Sequence, residues 1–121
     1  MNTPFVIQDK SQWTFFSNHT HVLVCIAEDP EIRTRDIAGR VGITERSAAR
    51  IIQQLRSENI LVAAKKGRRN QYFIDLDCRL RHQLEAHCTV GDILSVVIDE
   101  STIKALRERY KSGIRALKLS A

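Results

Sequence analysis

The sequence predicts a mainly α fold of the α+β class, in which a helix-turn-helix leads into a two-stranded β-hairpin and C-terminal helices follow. Three observations carry this prediction. Apolar residues recur at three- and four-residue intervals in several stretches of the chain, the spacing that places them on one face of a helix. Two of those stretches are separated only by a short segment around Gly42, as in two helices joined by a tight turn. Two β-type runs, 60–64 and 71–74, flank the segment Lys65-Lys66-Gly67-Arg68-Arg69-Asn70, the pattern of a hairpin with a basic tip.

Each element has its own local reason. A first helix is expected over 13–27, with Trp13, Phe16, Val22, Leu23, Ile26 and Ala27 on its apolar face and Glu28-Asp29-Pro30 ending it. Thr34 is placed to cap a second helix through Val41, where Ile37, Ala38 and Val41 share a face. Gly42 breaks that helix, because glycine reaches the positive φ that a tight exit needs. Thr44 can cap a third helix through Glu58, with Ala48, Ile51, Ile52 and Leu55 turned inward. Beyond the hairpin, 75–77 is turn-like, and Leu80 and Leu84 suggest a short helical stretch. Thr89-Val90-Gly91-Asp92 reads as a capping box, with Asp in the usual Glu position, opening an apolar helix through Ile98. Ser101 is placed to cap a final helix carrying the stripe Ile103, Leu106, Tyr110, Ile114 and Leu117. Within it Gly113 weakens the helix by about 1 kcal/mol.

Composition sets the broad class. The 121 residues suit one domain, and 43% hydrophobic with 27% charged residues is a globular balance, not that of a disordered or collagen-like chain. The run Val22-Leu23-Val24-Cys25-Ile26-Ala27 stops at Glu28, far short of the roughly 18 residues of a membrane span. No basic residue precedes Lys10, so no signal peptide is expected. The three cysteines form no CxxC pair, which fits a reducing cytoplasm better than a disulfide framework.

Charge is unevenly divided. From Arg33 to Arg69 there are ten basic residues and three acidic ones, a surplus of seven, whereas the whole chain carries only +5. Positive charge focused on one third of a chain concentrates polyanions near it, and nucleic acid is the polyanion a soluble basic domain most often meets.

These residues carry a resemblance. The run Thr34-Arg35-Asp36-Ile37-Ala38-Gly39-Arg40-Val41-Gly42-Ile43-Thr44-Glu45-Arg46-Ser47-Ala48-Ala49-Arg50-Ile51-Ile52-Gln53-Gln54-Leu55, then Glu58-Asn59-Ile60-Leu61 and Gly67-Arg68-Arg69-Asn70, resembles the small bacterial winged-helix transcription regulators of the MarR and ArsR type. The resemblance covers roughly residues 13–76. Asn59 stands where the wider pattern has glycine, a mild departure because asparagine also tolerates the left-handed conformation. Asn18-His19-Thr20-His21-Val22-Leu23 and Leu80-Arg81-His82-Gln83-Leu84-Glu85-Ala86-His87 are similar to one subset of helix-turn-helix regulators. The resemblance implies a winged helix-turn-helix with a β-hairpin wing, binding double-stranded DNA as a homodimer on paired half-sites. The expected division is an N-terminal arm at 1–12, the DNA-binding winged helix-turn-helix at 13–78 and a helical extension for dimerisation at 79–121.

The candidate site follows from helix geometry. With Ala48, Ile52 and Leu55 inward, Arg46, Ala49, Arg50 and Gln53 face outward. Arg can donate two hydrogen bonds to guanine and Gln can pair with adenine in the major groove. Thr44 and Ser47, at the helix start, lie where hydroxyls and backbone N–H groups meet phosphate, although capping alone accounts for Thr44. Lys65, Lys66, Arg68 and Arg69 on the hairpin tip are candidates for the adjacent backbone or minor groove. Arg35, with Arg33, sits at the start of the helix that crosses the backbone.

Rival chemistries are weaker. Cys78, His82, His87 and Cys88 are of ligand type, but His87 and Cys88 are adjacent and diverge by about 100° on a helix, so no metal or cofactor is expected. No phosphate-binding glycine loop, HExxH or GxSxG occurs, and no enzyme is expected. The alternatives to a DNA reader are a winged-helix protein adaptor and a metal- or thiol-responsive regulator, and an adaptor has no need of the basic surplus at 33–69.

Overall fold

The computed structural model describes residues 13–120, so the arm expected at 1–12 lies outside the described residues. Among the described residues, five helices and one hairpin follow in the order α1 (Asn18–Glu28), α2 (Thr34–Val41), α3 (Glu45–Ser57), β1 (Leu61–Lys66), β2 (Arg69–Ile74), α4 (Val90–Val97) and α5 (Glu100–Ser120). This is a mainly helical winged helix-turn-helix with a β-hairpin wing.

Helix ends show how the sequence sets the frame. Gly42 closes α2 at φ 85°, and the Ile43 N–H reaches back to the Ala38 carbonyl. At the end of α3, Asn59 adopts φ 64°. The Ile60 N–H then donates to Leu55 O and the Asn59 N–H to Arg56 O, the paired closure of a Schellman motif. Asparagine thus takes the left-handed position that glycine usually fills. Thr44 caps α3 through Ser47 N–H at 3.0 Å. Thr89 and Asp92 form the reciprocal capping box on α4, at 3.1 and 2.9 Å.

Several expectations are corrected. Helix α1 begins at Asn18, not at Trp13, because the backbone is extended at Ser17 (φ −75°, ψ 170°); Trp13 and Phe15 lie outside it and are exposed. The N-cap of α2 is Arg33, with no side-chain cap, and Thr34 is already helical. Leu80 and Leu84 do not lie on a helix. The 75–89 segment is a loop whose ends are tied by Leu80 N–H to Cys88 O and Val90 N–H to Cys78 O. Asp99 takes the cap of α5 that Ser101 was expected to supply: its carboxylate accepts from the Thr102 N–H at 2.8 Å and the Ser101 hydroxyl at 3.0 Å. Those hydrogen bonds hold the Asp99 carboxyl below its ordinary value.

One core joins the parts. Val22 and Ile26 of α1, Ile37 of α2, Ala48, Ile51, Ile52 and Leu55 of α3, Leu61 and Ile74 of the hairpin, and Val90, Leu94 and Leu106 of the C-terminal helices are all buried in a single cluster. The α5 stripe is therefore not left bare: Leu106 is buried and Ile103, Tyr110, Ile114 and Leu117 are half-buried against the chain's own domain. Among the described residues, no helix is long and apolar enough to cross a membrane.

Gly113 has a packing reason. A Cβ there would lie 2.3–2.9 Å from three carbons of the Phe73 ring, and that ring is buried beneath the Arg109 guanidinium at 4.6 Å. The close approach lets α5 lie on β2. Gly113→Ala should therefore destabilise the fold by about 1–3 kcal/mol through overpacking, in spite of alanine's better helix propensity. Urea denaturation should show a lower midpoint with an unchanged slope; equal or greater stability would mean that Phe73 moves aside freely.

Candidate nucleic-acid interface

Helix α3 is anchored by one face and bare on the other. Ala48, Ile51, Ile52 and Leu55 are buried, and on the opposite side Arg46, Arg50 and Gln53 are all exposed. The anchored face fixes the helix while leaving three hydrogen-bonding side chains in solvent, an arrangement that suits insertion into a major groove. At its start, the Thr44 hydroxyl both accepts from Ser47 N–H and donates to Ser47 Oγ at 2.9 Å, so Thr44 is occupied in capping. Ser47 is half-buried. Arg35 is exposed on α2.

The wing differs from its expected form. The strands extend further than 60–64 and 71–74, with Lys65 paired to Asn70 and Lys66 to Arg69, so that only Gly67 and Arg68 form the turn. Gly67 sits at φ 66°, as a glycine does at the first central position of a mirror-image hairpin turn. The extension has a simple cause: a two-residue turn needs no more chain than Gly67-Arg68, and the flanking basic residues can join the ladder.

Lys65, Lys66, Arg68 and Arg69 are exposed, but they are not equivalent. Glu31, from the loop between α1 and α2, accepts a 2.8 Å ion-paired hydrogen bond from Lys66 Nζ, and its backbone carbonyl lies 3.4 Å from Arg69 Nη1. The Lys66 bond holds the Glu31 carboxyl below its ordinary value. Glu31 was not legible as a site residue, since thirty-five residues separate it from Lys66 and no local pattern links them. Beside this contact, Arg33, Arg68 and Arg69 line a cleft of about 360 Å³ at the start of α2. The same loop supports the wing through its backbone, with Tyr72 N–H donating to Pro30 O at 2.9 Å.

The residues of the rival chemistries lie elsewhere. Burial pushes the Cys25 thiol above its ordinary value, and burial chiefly does the same for Cys78, helped by Asp75 and Glu58; a thiol sensor needs the opposite shift. His82 Nδ1 accepts from Leu84 N–H at 3.1 Å. Among the described residues, no group of three or more His, Cys, Asp or Glu could hold a metal ion.

Fold and exposed basic face together define a winged helix-turn-helix, and comparison with known proteins agrees. Residues 17–62 match the family described as winged helix-turn-helix DNA-binding, a span of about two fifths of the chain that runs from the cap of α1 into β1. The match supports DNA binding by this segment and a role as a regulator. No curated protein and no solved structure matches the chain.

Because Arg46, Arg50 and Gln53 touch little of the fold, their alanine variants should keep the wild-type stability within about 0.5 kcal/mol. Thr44→Ala, which removes a cap, should lose about 1 kcal/mol. Thermal denaturation of the four variants checks both expectations, and a large loss in any of the first three would place that side chain in the fold.

Proposed function

We propose that the protein is a sequence-specific double-stranded DNA-binding transcription regulator of the MarR/ArsR-like kind, acting in the cytoplasm as a homodimer. The observation that carries this reading is the solvent face of α3, where Arg46, Arg50 and Gln53 project together from a helix whose other face is core. In this reading α3 lies in the major groove. Thr44 and Ser47 stand near phosphate at its start, and Arg35 approaches the backbone from α2. Lys65, Lys66, Arg68 and Arg69 take the adjacent backbone or minor groove. Arg33, Arg68 and Arg69 line one small cleft together with Glu31, whose carboxylate is engaged by Lys66, and in this reading the three arginines serve a phosphate near it. No enzymatic step and no cofactor is part of this reading.

Residues 79–121 complete the core and, in this proposal, also carry the dimer contact. Because the α5 stripe packs on its own domain, the contact falls to α4, where Val96 is 70% and Val97 47% exposed. A two-fold pair joined there brings two α3 helices to paired half-sites.

Selection of duplex fragments from a mixed pool, followed by sequencing, tests DNA reading and yields the site. Arg50→Ala and Gln53→Ala should each lose about 1–3 kcal/mol of discrimination and relax the preference at one position. Equal loss on all sequences would move the residue to phosphate contact. Replacing Lys65, Lys66, Arg68 and Arg69 together by alanine should weaken all duplexes alike and make the salt dependence shallower, by about 0.9 in slope for each phosphate the wing no longer neutralises. Glu31→Gln should act in the opposite sense, releasing Lys66 and tightening binding to every duplex a few-fold. A wild-type protein with no salt-dependent duplex binding would hand the fold to the adaptor reading.

The dimer is checked by sedimentation. Val96→Glu with Val97→Glu should yield monomers with the helical content of the wild type, and an unchanged dimer would put the interface on another face.

A further inference from the structure

Helix α5 carries charge that neither the core nor the ion pairs explain. Beyond Glu108 the chain holds four basic residues, Arg109, Lys111, Arg115 and Lys118, and no acidic one. Two of them have partners in the fold: Arg109 lies over Phe73 and donates to the Tyr72 carbonyl, and Lys111 stands 4.0 Å from Glu108. Arg115 and Lys118 are exposed and meet no carboxylate among the described residues. A cation in the last turn of a helix is stabilised by the helix dipole, which accounts for Lys118. That effect fades within one turn of the end and does not reach Arg115.

Three contacts set the path of this helix. Arg107 pairs with Asp77 at 2.6 Å, Tyr110 is hydrogen-bonded to Asp75, and Gly113 rests on Phe73. Each three-residue step forward along α5 thus meets a two-residue step back along the chain, so the helix runs antiparallel to β2, from the base of the hairpin toward its tip. Lys118, five residues past Gly113, is carried about 7 Å further in that direction, whereas Arg69 lies about 13 Å from Phe73 along the strand. The last turns of α5 therefore flank the wing and stop short of its turn.

The occupant that fits such a face is a polyanion. Ile114 and Leu117, on the apolar side of the same turns, are half-buried against the chain's own domain, so α5 has no free apolar stripe to lay in a lipid surface. A second copy docked here would set Arg115 and Lys118 against themselves, because a two-fold contact repeats one patch on both sides and like charges across an interface repel. Next to these turns stand the exposed Lys65, Lys66, Arg68 and Arg69, and the α5–β2 seam makes one continuous basic face of the two. We propose that Arg115 and Lys118 bind phosphates of the duplex beyond the wing, outside the bases read by α3. This rests on the DNA-reading proposal and lengthens its footprint; phosphate contacts of this kind add affinity without sequence preference.

The test compares the full chain with its Arg115→Gln, Lys118→Gln double variant, in which glutamine keeps the helix propensity and circular dichroism should show unchanged helical content. Two duplexes are used: the selected site alone, and the same site extended at each end by about ten base pairs, one helical turn. On the extended duplex the variant should bind more weakly, with a salt slope shallower by about 1.8 per protomer, so that the wild-type advantage shrinks about twelvefold between 50 and 200 mM salt. On the bare site the two proteins should bind alike and prefer the same bases. Hydroxyl-radical cleavage should show flanking sugars that the wild type protects and the variant leaves open. Arg115→Lys with Lys118→Arg, which keeps both charges, should behave as the wild type. Equal binding of wild type and glutamine variant to the extended duplex overturns the contact. A loss of the same size on both duplexes also overturns it, since the charges then act through the field of the whole protein; so does a lysine–arginine exchange that fails as the glutamine variant does, which makes the role structural. Variant-sensitive binding to polyglutamate that is tighter than binding to the extended duplex gives the pair to an acidic protein and overturns the duplex contact. A wild type that binds neither duplex removes the DNA reading itself, a result distinct from a wild type that binds and a variant that equals it.

Discussion

Ala48, Ile51, Ile52 and Leu55 of α3, packed beneath α1 and α2, are the contact on which the other features rest. Burying one face of a thirteen-residue helix fixes its rotation, and rotation decides which side chains stay in water. Arg46, Arg50 and Gln53 are outward because those four residues are inward. The same packing places Leu55 where the Schellman closure can turn the chain at Asn59 into β1. The hairpin is thus aimed by the helix that precedes it.

Electrostatics works on a different principle from packing here. The basic surplus belongs to the sequence, but its distribution belongs to the fold. Glu31 lies between α1 and α2 and reaches the wing next to Pro30, whose carbonyl accepts from the Tyr72 N–H of β2. One carboxylate then moderates Lys66, while its own backbone carbonyl faces Arg69. An exposed pair such as this contributes little to folding, so its physical consequence is to the field over the wing.

The parts of the fold that were legible in the sequence are those governed by local chemistry. The Gly42 break, the Thr44 cap, the Thr89–Asp92 box and the inward set of α3 each depend on residues within a turn or two of one another. The misread parts depend on competition or distance. Thr34 and Ser101 are good capping residues, but Arg33 and Asp99 precede the helices that actually form. Leu80 and Leu84 have helical spacing, yet the rung between Arg79 and Thr89 closes that segment as a loop. Gly113 suggested a weak helix, and only the position of Phe73 explains it. For the candidate site, the outward face of α3 and the exposed basic residues of the wing could be inferred from periodicity and charge. Glu31 and the hydrogen bond between His19 and Gln54 of α3 could not, because each joins residues thirty-five positions apart.

The seating of β2 under α5 has a further consequence. Phe73 is held against Gly113 and Arg109, and Arg109 also donates to the Tyr72 carbonyl at 3.2 Å. The hairpin is thereby splinted along its base by a long helix, and the turn itself comprises just two residues. Ordering a floppy β-ribbon at the moment of association would consume conformational entropy residue by residue. In this chain most of that entropy is already surrendered on folding, so the wing is a short stiff prong whose remaining freedom resides in the side chains of its tip.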